Sequence, residues 1–395
     1  MDGLPQGDPD MRLGIIGGAL QGMECALLAR DAGYRSIVID RRPDAPALSL
    51  CDEPLVMDPA ADPEGAASVF EELDYIIPAC EDTGLLDALV SILGDDPRFL
   101  FDPGAYAVSR SKLESNRLMS GLGVPMPAEW PECGYPVVVK PSSLSGSVGV
   151  TVANDRKEMD EGISRVYSLG DEPVVQGFAR GRSVSVEVIG DGGDAVPYIT
   201  TEVCLDPGYD CKMVRCHPGI LSGDDEVEFG RIGARIAKEL GLRGIMDVEA
   251  ILTDRGLRVL EVDARMPSQT PAAVLAASGV NLLREMVRSA QGSLRGPGPM
   301  AASSVYRHFV YSDGVLRSCG EKEFSKVRSP RFRRGLFGSD LAITDFEPGS
   351  DEWRATLIIS APTEEAVDER SAAAMEMMKD ECSTDVLVDE GPEVV

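Results

Sequence analysis

Apolar and polar residues alternate with a period of two along residues 243–271, RGIMDVEAILTDRGLRVLEVDARMPSQTP. In the first half Met246, Val248, Ala250 and Leu252 share one face, and Asp247 and Glu249 the other. In the second half Leu260 and Val262 share one face, and Glu261 and Asp263 the other. Residues 254–256 supply turn chemistry between them. The pattern predicts an antiparallel hairpin. Closed symmetrically about Arg255, it sets Glu249 opposite Glu261 and Asp247 opposite Asp263. Like charges facing across a strand pair are destabilising, so this face calls for a cation, and hard oxygen ligands suit Mg²⁺. Arg265 continues the same face. The plain alternative is a solvated hairpin face.

Other stretches carry patterns of their own. Residues 12–40 read as strand, glycine turn, amphipathic helix and strand, a βαβ opening. Gly17 and Gly22 fit a dinucleotide fingerprint, but Ala19 stands where its middle glycine belongs. Asp40 ends the second strand, where a ribose-binding acid would sit, and keeps an NAD-dependent oxidoreductase as an alternative. Residues 75–81 form a further strand with Glu81 and Asp82 at its end. Either acid is placed to hold a substrate amine, and Asp82 is equally a helix N-cap. Residues 137–139 form an apolar strand ending at Lys140, followed by the small-residue loop 142–149, SSLSGSVG. The amides around Ser143, Ser145 and Gly146, with the Lys140 ammonium, suit a triphosphate, or else form a flexible hairpin loop. In residues 171–189 two strands flank the connector 178–181. Its backbone is placed to pair with an adenine edge, and Gln176 or Glu187 to reach ribose or metal; a plain hairpin is the alternative.

Later segments predict amphipathic helices over residues 223–240 and within 274–291. Residues 300–395 read as α+β: strands near 303–311, 336–337 and 355–359, then a helix over 364–381. Arg328, Arg331, Arg333 and Arg334 form the one basic cluster, which fits a solvated or interface face. Cys211, Cys216 and His217 match no standard zinc spacing.

Composition narrows the function classes. With 38 Lys and Arg against 66 Asp and Glu, the net charge is −28, which argues against a nucleic-acid partner. There is no run of about eighteen apolar residues, so no membrane span is expected. The 9 cysteines are scattered without a C-x-x-C pair, which suits reduced thiols and a cytoplasmic location. A chain of 395 residues accommodates two or three domains.

Taken in order, Lys112, Lys140, the Ser/Gly loop, residues 175–179, Glu249 and the run Glu261-Val262-Asp263-Ala264-Arg265 resemble the ATP-grasp superfamily. The GGALQG turn, PACED, SRSKLESNRLM, YDCK and LEVDARMPSQTP are similar to its 3-methylornithine–L-lysine ligase family of pyrrolysine biosynthesis. The resemblance covers about residues 11–290 and thins over the last hundred. It implies an α/β and α+β ATP-grasp fold: a disordered extension at 1–10, a Rossmann-like domain at 11–105, a lid subdomain at 106–180 and a mixed-sheet metal and nucleotide domain at 181–395. It implies ATP and Mg²⁺ as cofactors, with Lys112, Lys140, Ser143, Ser145, Gly146, Gln176, Gly177, Phe178, Ala179 and Glu187 at the nucleotide and Glu249, Glu261 and Asp263 at the metal. Arg265 would stabilise an acyl phosphate, and Glu81, Asp210 and Ser268 would meet amino-acid substrates. The implied reaction forms an amide between 3-methyl-D-ornithine and the lysine ε-amine. Other superfamily ligases, of the dipeptide or D-alanine type, and a non-catalytic nucleotide-binding regulator are the competing readings. The expected partners are small amino acids, with a homodimer admitted. Two departures stand out: Asp263 replaces the usual Asn, and Gln176 a frequent ribose-binding acid.

Overall fold

Four apolar runs near the N-terminus pair side by side as a parallel sheet. The computed structural model describes residues 10–392, so the expected extension lies outside it except for its last residue. The strands are Arg12–Ile16, Arg35–Asp40, Glu53–Val56 and Tyr75–Pro78, and the first lies between the second and the fourth. Helix Leu20–Ala32 follows the glycine turn and is buried on nearly every side. One side covers the sheet; another meets helix Leu282–Ala290 from far along the chain.

The middle of the chain forms a smaller antiparallel sheet of Val137–Pro141, Thr151–Ala153 and Pro173–Gly177, with Val137–Pro141 central. Helix Arg156–Ser168, capped by the Asp155 carboxylate on Glu158 N at 2.9 Å, packs Met159 and Val166 on Val137 and Val139. Helix Lys112–Gly121 precedes this unit and is capped by Ser111.

The largest sheet has twelve strands. Strand Arg182–Asp191 runs through it, pairing on one side with Arg243–Thr253 and on the other with Thr201–Leu205. Helix Gly223–Leu240 lays Phe229, Ile232 and Ile236 on one face. Gly233 permits that approach, since a Cβ there would lie 2.8 Å from Val188. Strands Ser303–Ser312 and Trp353–Ala361 carry the sheet into the C-terminal part, under helix Glu364–Glu381. Among the described residues no helix is long and apolar enough to cross a membrane.

Several expectations are corrected. Strands Pro173–Gly177 and Arg182–Asp191 are not a hairpin, because each belongs to a different sheet. Residues 274–291 hold parts of two helices, Thr270–Ser278 and Leu282–Ala290, separated at Gly279 with φ +74°. Residues 336–337 lie in a 3₁₀ turn rather than a strand. Strands Val315–Ser318, Arg331–Arg333 and Leu341–Thr344 were not predicted; at three or four residues they are too short for a period to show. Arg331 and Arg333 pair with Glu347, which fits a solvated face rather than a phosphate site.

Candidate active site

The three sheets meet around one cavity of about 1370 Å³. The hairpin forms its floor, as strands Arg243–Thr253 and Gly256–Asp263. Glu249 faces Glu261 and Asp247 faces Asp263, as the alternation predicts. The route to that register differs from the expected one. The hairpin closes on a two-residue turn, with Thr253 opposite Gly256, which would put the carboxylates one residue out of step. A β-bulge restores them: Ala250 pairs with Val259 and Glu249 with Glu261, leaving Leu260 as the extra residue. The core face of the second strand is therefore Leu257, Val259 and Val262. Leu260 was expected beside Val262; instead it lines the cavity, and its carbonyl accepts from Lys140 Nζ at 3.3 Å.

The carboxylates differ in what meets them. Burial, then Glu261, pushes Glu249 up to about 8. Burial raises Asp263 to about 6 against the pull of Arg265, whose Nε lies 2.9 Å away. Burial likewise raises Asp247 well above the usual range. Burial would raise Glu261 too, but Lys112 and Lys140 outweigh it and hold its carboxyl below the usual value. Glu261 lies inside the protein envelope, yet its side chain is 35 % open to the cavity, so solvent moderates these effects. Lys112 Nζ sits 3.0 Å from Glu261 and donates to Leu144 O at 3.0 Å. Asp247 Oδ1 and Asp263 Oδ1 are buried without a hydrogen-bond partner. Among the described residues no three acids, histidines or cysteines converge as a closed metal cage. Mg²⁺ needs only one or two carboxylates beside phosphate oxygens, and these orphaned hard oxygens fit that requirement.

The loop after Lys140 folds over the cavity. Ser143 donates through its N and Oγ to Asp171 at 2.9 and 2.8 Å, and Ser145 Oγ donates to Glu81. Ser147 Oγ reaches Tyr209 O at 2.8 Å. The serines expected at a phosphate are thus engaged with protein groups here. Gly146 lies in the left-handed region, φ +57°, which lets the chain reverse at that point. In the connector the N–H groups of Gly177 and Phe178 donate to Ala128 O and Pro136 O at 2.8 and 2.9 Å, so neither is free for a base edge. Gln176 is buried with its Nε2 unsatisfied, and with Ala179 it lines the cavity. Glu187 does not line it: its strand pairs it with Asp247 on the same face but farther along, where burial raises it to about 7.

Around Arg265 the far end of the cavity is acidic. Arg265 pairs with Glu81 as well as Asp263. Asp82 does not join it; its carboxylate caps helix Thr83–Leu93 from Leu85 N at 3.1 Å. Asp210 accepts from Lys322 N at 2.9 Å, and Ser268 Oγ lies 3.5 Å from Glu321. Gln269, at φ +71°, donates from its backbone to Glu24 and from Nε2 to Glu321 at 3.2 Å. Sequence reasoning missed Glu321, Gln269 and Glu24. Glu321 opens a four-residue helix with no periodic signal, and Glu24 reads only as one polar residue in a buried helix. His217 bonds Pro218 O outside the cavity, and Cys211 and Cys216 are free thiols. Asp40 is spent on its own turn, accepting from Gly18 N at 2.6 Å and Arg42 N at 2.7 Å, which removes the ribose role an NAD site requires.

The chain belongs to the ATP-grasp family, and its class is that of an ATP-dependent ligase. Residues 109–269 match the family's ATP-grasp domain. The chain is 36 % identical over 318 residues to the 3-methyl-D-ornithine–L-lysine ligase of Methanosarcina mazei, covering 79 % of this chain and 81 % of that protein. In fold it is similar to the biotin carboxylase domain of Hydrogenobacter thermophilus 2-oxoglutarate carboxylase in complex with MgADP. That match has a TM-score of 0.73 at 16 % identity, over 92 % of this chain and 89 % of the other. The ADP complex of N5-carboxyaminoimidazole ribonucleotide synthetase gives 0.71 at 16 %, over 95 % and 99 %.

Proposed function

We propose that this chain joins the carboxylate of 3-methyl-D-ornithine to the ε-amine of L-lysine at the expense of ATP. The observation that carries the reading is the floor of the cavity: Glu249 and Glu261 face one another with Lys112 and Lys140 against them, beside Asp263 and Arg265. The 36 % identity to the Methanosarcina mazei ligase supplies the substrates. One or two of Glu249, Glu261 and Asp263 would hold Mg²⁺ together with phosphate oxygens, whose charge the ion would neutralise. On nucleotide entry Lys112 exchanges Glu261 for phosphate, and Lys140 holds its neighbour. The Ser/Gly loop turns its amides inward once Ser143 and Ser145 leave Asp171 and Glu81. Adenine meets carbonyl groups of the connector and Ala179, because the Gly177 and Phe178 amides are occupied.

The substrate carboxylate oxygen attacks the γ-phosphorus and ADP leaves, giving an acyl phosphate. The free amine then attacks the acyl carbon, a proton is lost from nitrogen, and phosphate departs from the tetrahedral state. Arg265 stabilises the charge that develops on oxygen in both steps. Positioning and electrostatics supply most of the acceleration.

The test is phosphate release from Mg-ATP with pairs of amino acids. Release with 3-methyl-D-ornithine plus L-lysine, and amide product by mass, is the expected result. Release with D-alanine pairs instead would move the chain to a different ligase specificity. No release with any pair would overturn the reading.

A further inference from the structure

Five carboxylates, of Asp263, Glu81, Asp247, Glu321 and Asp210, crowd the Arg265 end of the cavity; Arg265 and Lys322 act on them, and Lys112 reaches Asp263 from the lysine side. Protein groups offset some of that charge. Asp263 and Glu81 pair with Arg265, and Asp210 takes the Lys322 amide. Two acids are left differently. Asp247 is 8 % exposed, lines the cavity, and has an Oδ1 with no hydrogen-bond partner. Glu321 is fixed by one oxygen: Oε2 takes Gln269 Nε2 at 3.2 Å and lies 3.5 Å from Ser268 Oγ. Its Oε1 takes none of the described hydrogen bonds and faces the Ser/Gly loop, 4.0 Å from where a Cβ on Gly146 would stand. Gln269 is held in turn by Glu24 through its own N–H and by His308 at 3.1 Å. A carboxylate fixed at one oxygen by a rigid amide, with the other presented to a cavity, is a pre-organised acceptor for an ammonium group.

We propose that Glu321, with Asp210 beside it, is the subsite that binds an alkylammonium group of a dibasic amino acid and thereby selects such substrates. This rests on the ligase reading above and extends it to a residue of the C-terminal part. The ammonium belongs to the amino acid whose carboxylate is activated or to the one supplying the nucleophile. It offsets one unit of the excess negative charge, and both Glu321 oxygens are then occupied.

Binding of D-ornithine and of L-lysine to the full chain is measured by calorimetry with Mg²⁺ and a non-hydrolysable ATP analogue, for wild type and Glu321→Gln. A charge-assisted bond predicts a loss of about 10- to 100-fold in affinity for one of the two amino acids, with nucleotide affinity unchanged. The amino acid that weakens identifies the source of the ammonium. Unchanged affinity for both overturns the proposal, whether or not the wild type turns over. An inactive wild type that still loses affinity on Glu321→Gln overturns only the reaction. If Glu321→Gln does not fold, wild type is compared on D-ornithine and D-norvaline, and on L-lysine and L-norleucine. Equal affinity within both pairs overturns the proposal; a preference of tenfold or more for the ammonium-bearing member of a pair supports it.

Discussion

The glycine turn at Gly17–Gly22 and the acidic hairpin both invite a nucleotide in sequence, yet they are opposites in structure. In the turn every invitation is answered from within. Asp40 accepts two backbone N–H groups, and a Cβ on Gly22 would lie 2.1 Å from Gly17 O, so that glycine serves the packing of helix on turn. In the hairpin the carboxylates face each other, two buried oxygens lack partners, and the nearest cations are the ends of long lysine and arginine side chains. A satisfied polar group holds a fold together; an orphaned one that opens on a cavity is where a ligand can complete it.

That contrast is sharpest under substitution. Glu261→Gln keeps the shape of the hairpin but removes a charge from both Lys112 and the metal position. Turnover should fall by about a thousandfold or more with the melting temperature retained; full activity would make the hairpin a scaffold. Asp40→Ala tests the other region. It should cost about 2 kcal/mol of stability by denaturant titration, with kcat changed less than about twofold. Loss of ATP binding at unchanged stability would reverse the contrast.

The mildest test reads Glu24, which ties the two regions together through Gln269 and Tyr306. Burial raises it to about 8 despite those hydrogen bonds, against an ordinary value of 4.5. The folded state therefore binds its proton more tightly than the unfolded chain. Its stabilisation is complete below about pH 4.5 and is lost as pH rises through about 8. Ligand-free protein should lose stability over that window, by up to about 1.4 kcal/mol per pH unit from this group. Glu24→Gln should flatten the slope of melting temperature on pH without abolishing it, because Glu187 and Glu321 are raised in the same sense. An unchanged slope would remove Glu24 from the account.

What the sequence displays follows from period and charge. Residues 243–263 alternate strongly enough that the strands and the facing of Glu249 with Glu261 are readable. Lys140 is readable as a lysine at a strand end. Lys112 is not, since its neighbours Glu261 and Leu144 come from elsewhere in the chain. The engagement of Gly177 and Phe178 with Ala128 and Pro136 is a tertiary fact with no local trace. Glu187 shares the strand alternation of the floor acids but sits beyond the cavity, a distinction of position along the strand that periodicity does not carry. The acids around Arg265 are drawn from four separate stretches of chain; only the facing of Asp247 with Asp263 is readable locally, and the rest of their meeting is written in the fold.

The bulge at Leu260 has a meaning for anyone cutting or grafting this strand. Removing Leu260 would leave Val259 and Glu261 adjacent and still opposite Ala250 and Glu249, so the in-and-out phase of the acids would survive the deletion. What would vanish is one oily side chain and one carbonyl, the seat of Lys140. The bulge absorbs the extra residue and so keeps the acids in register, and what that residue adds lies on the working surface. Its loss should be felt first as weaker nucleotide affinity, with the strand itself intact.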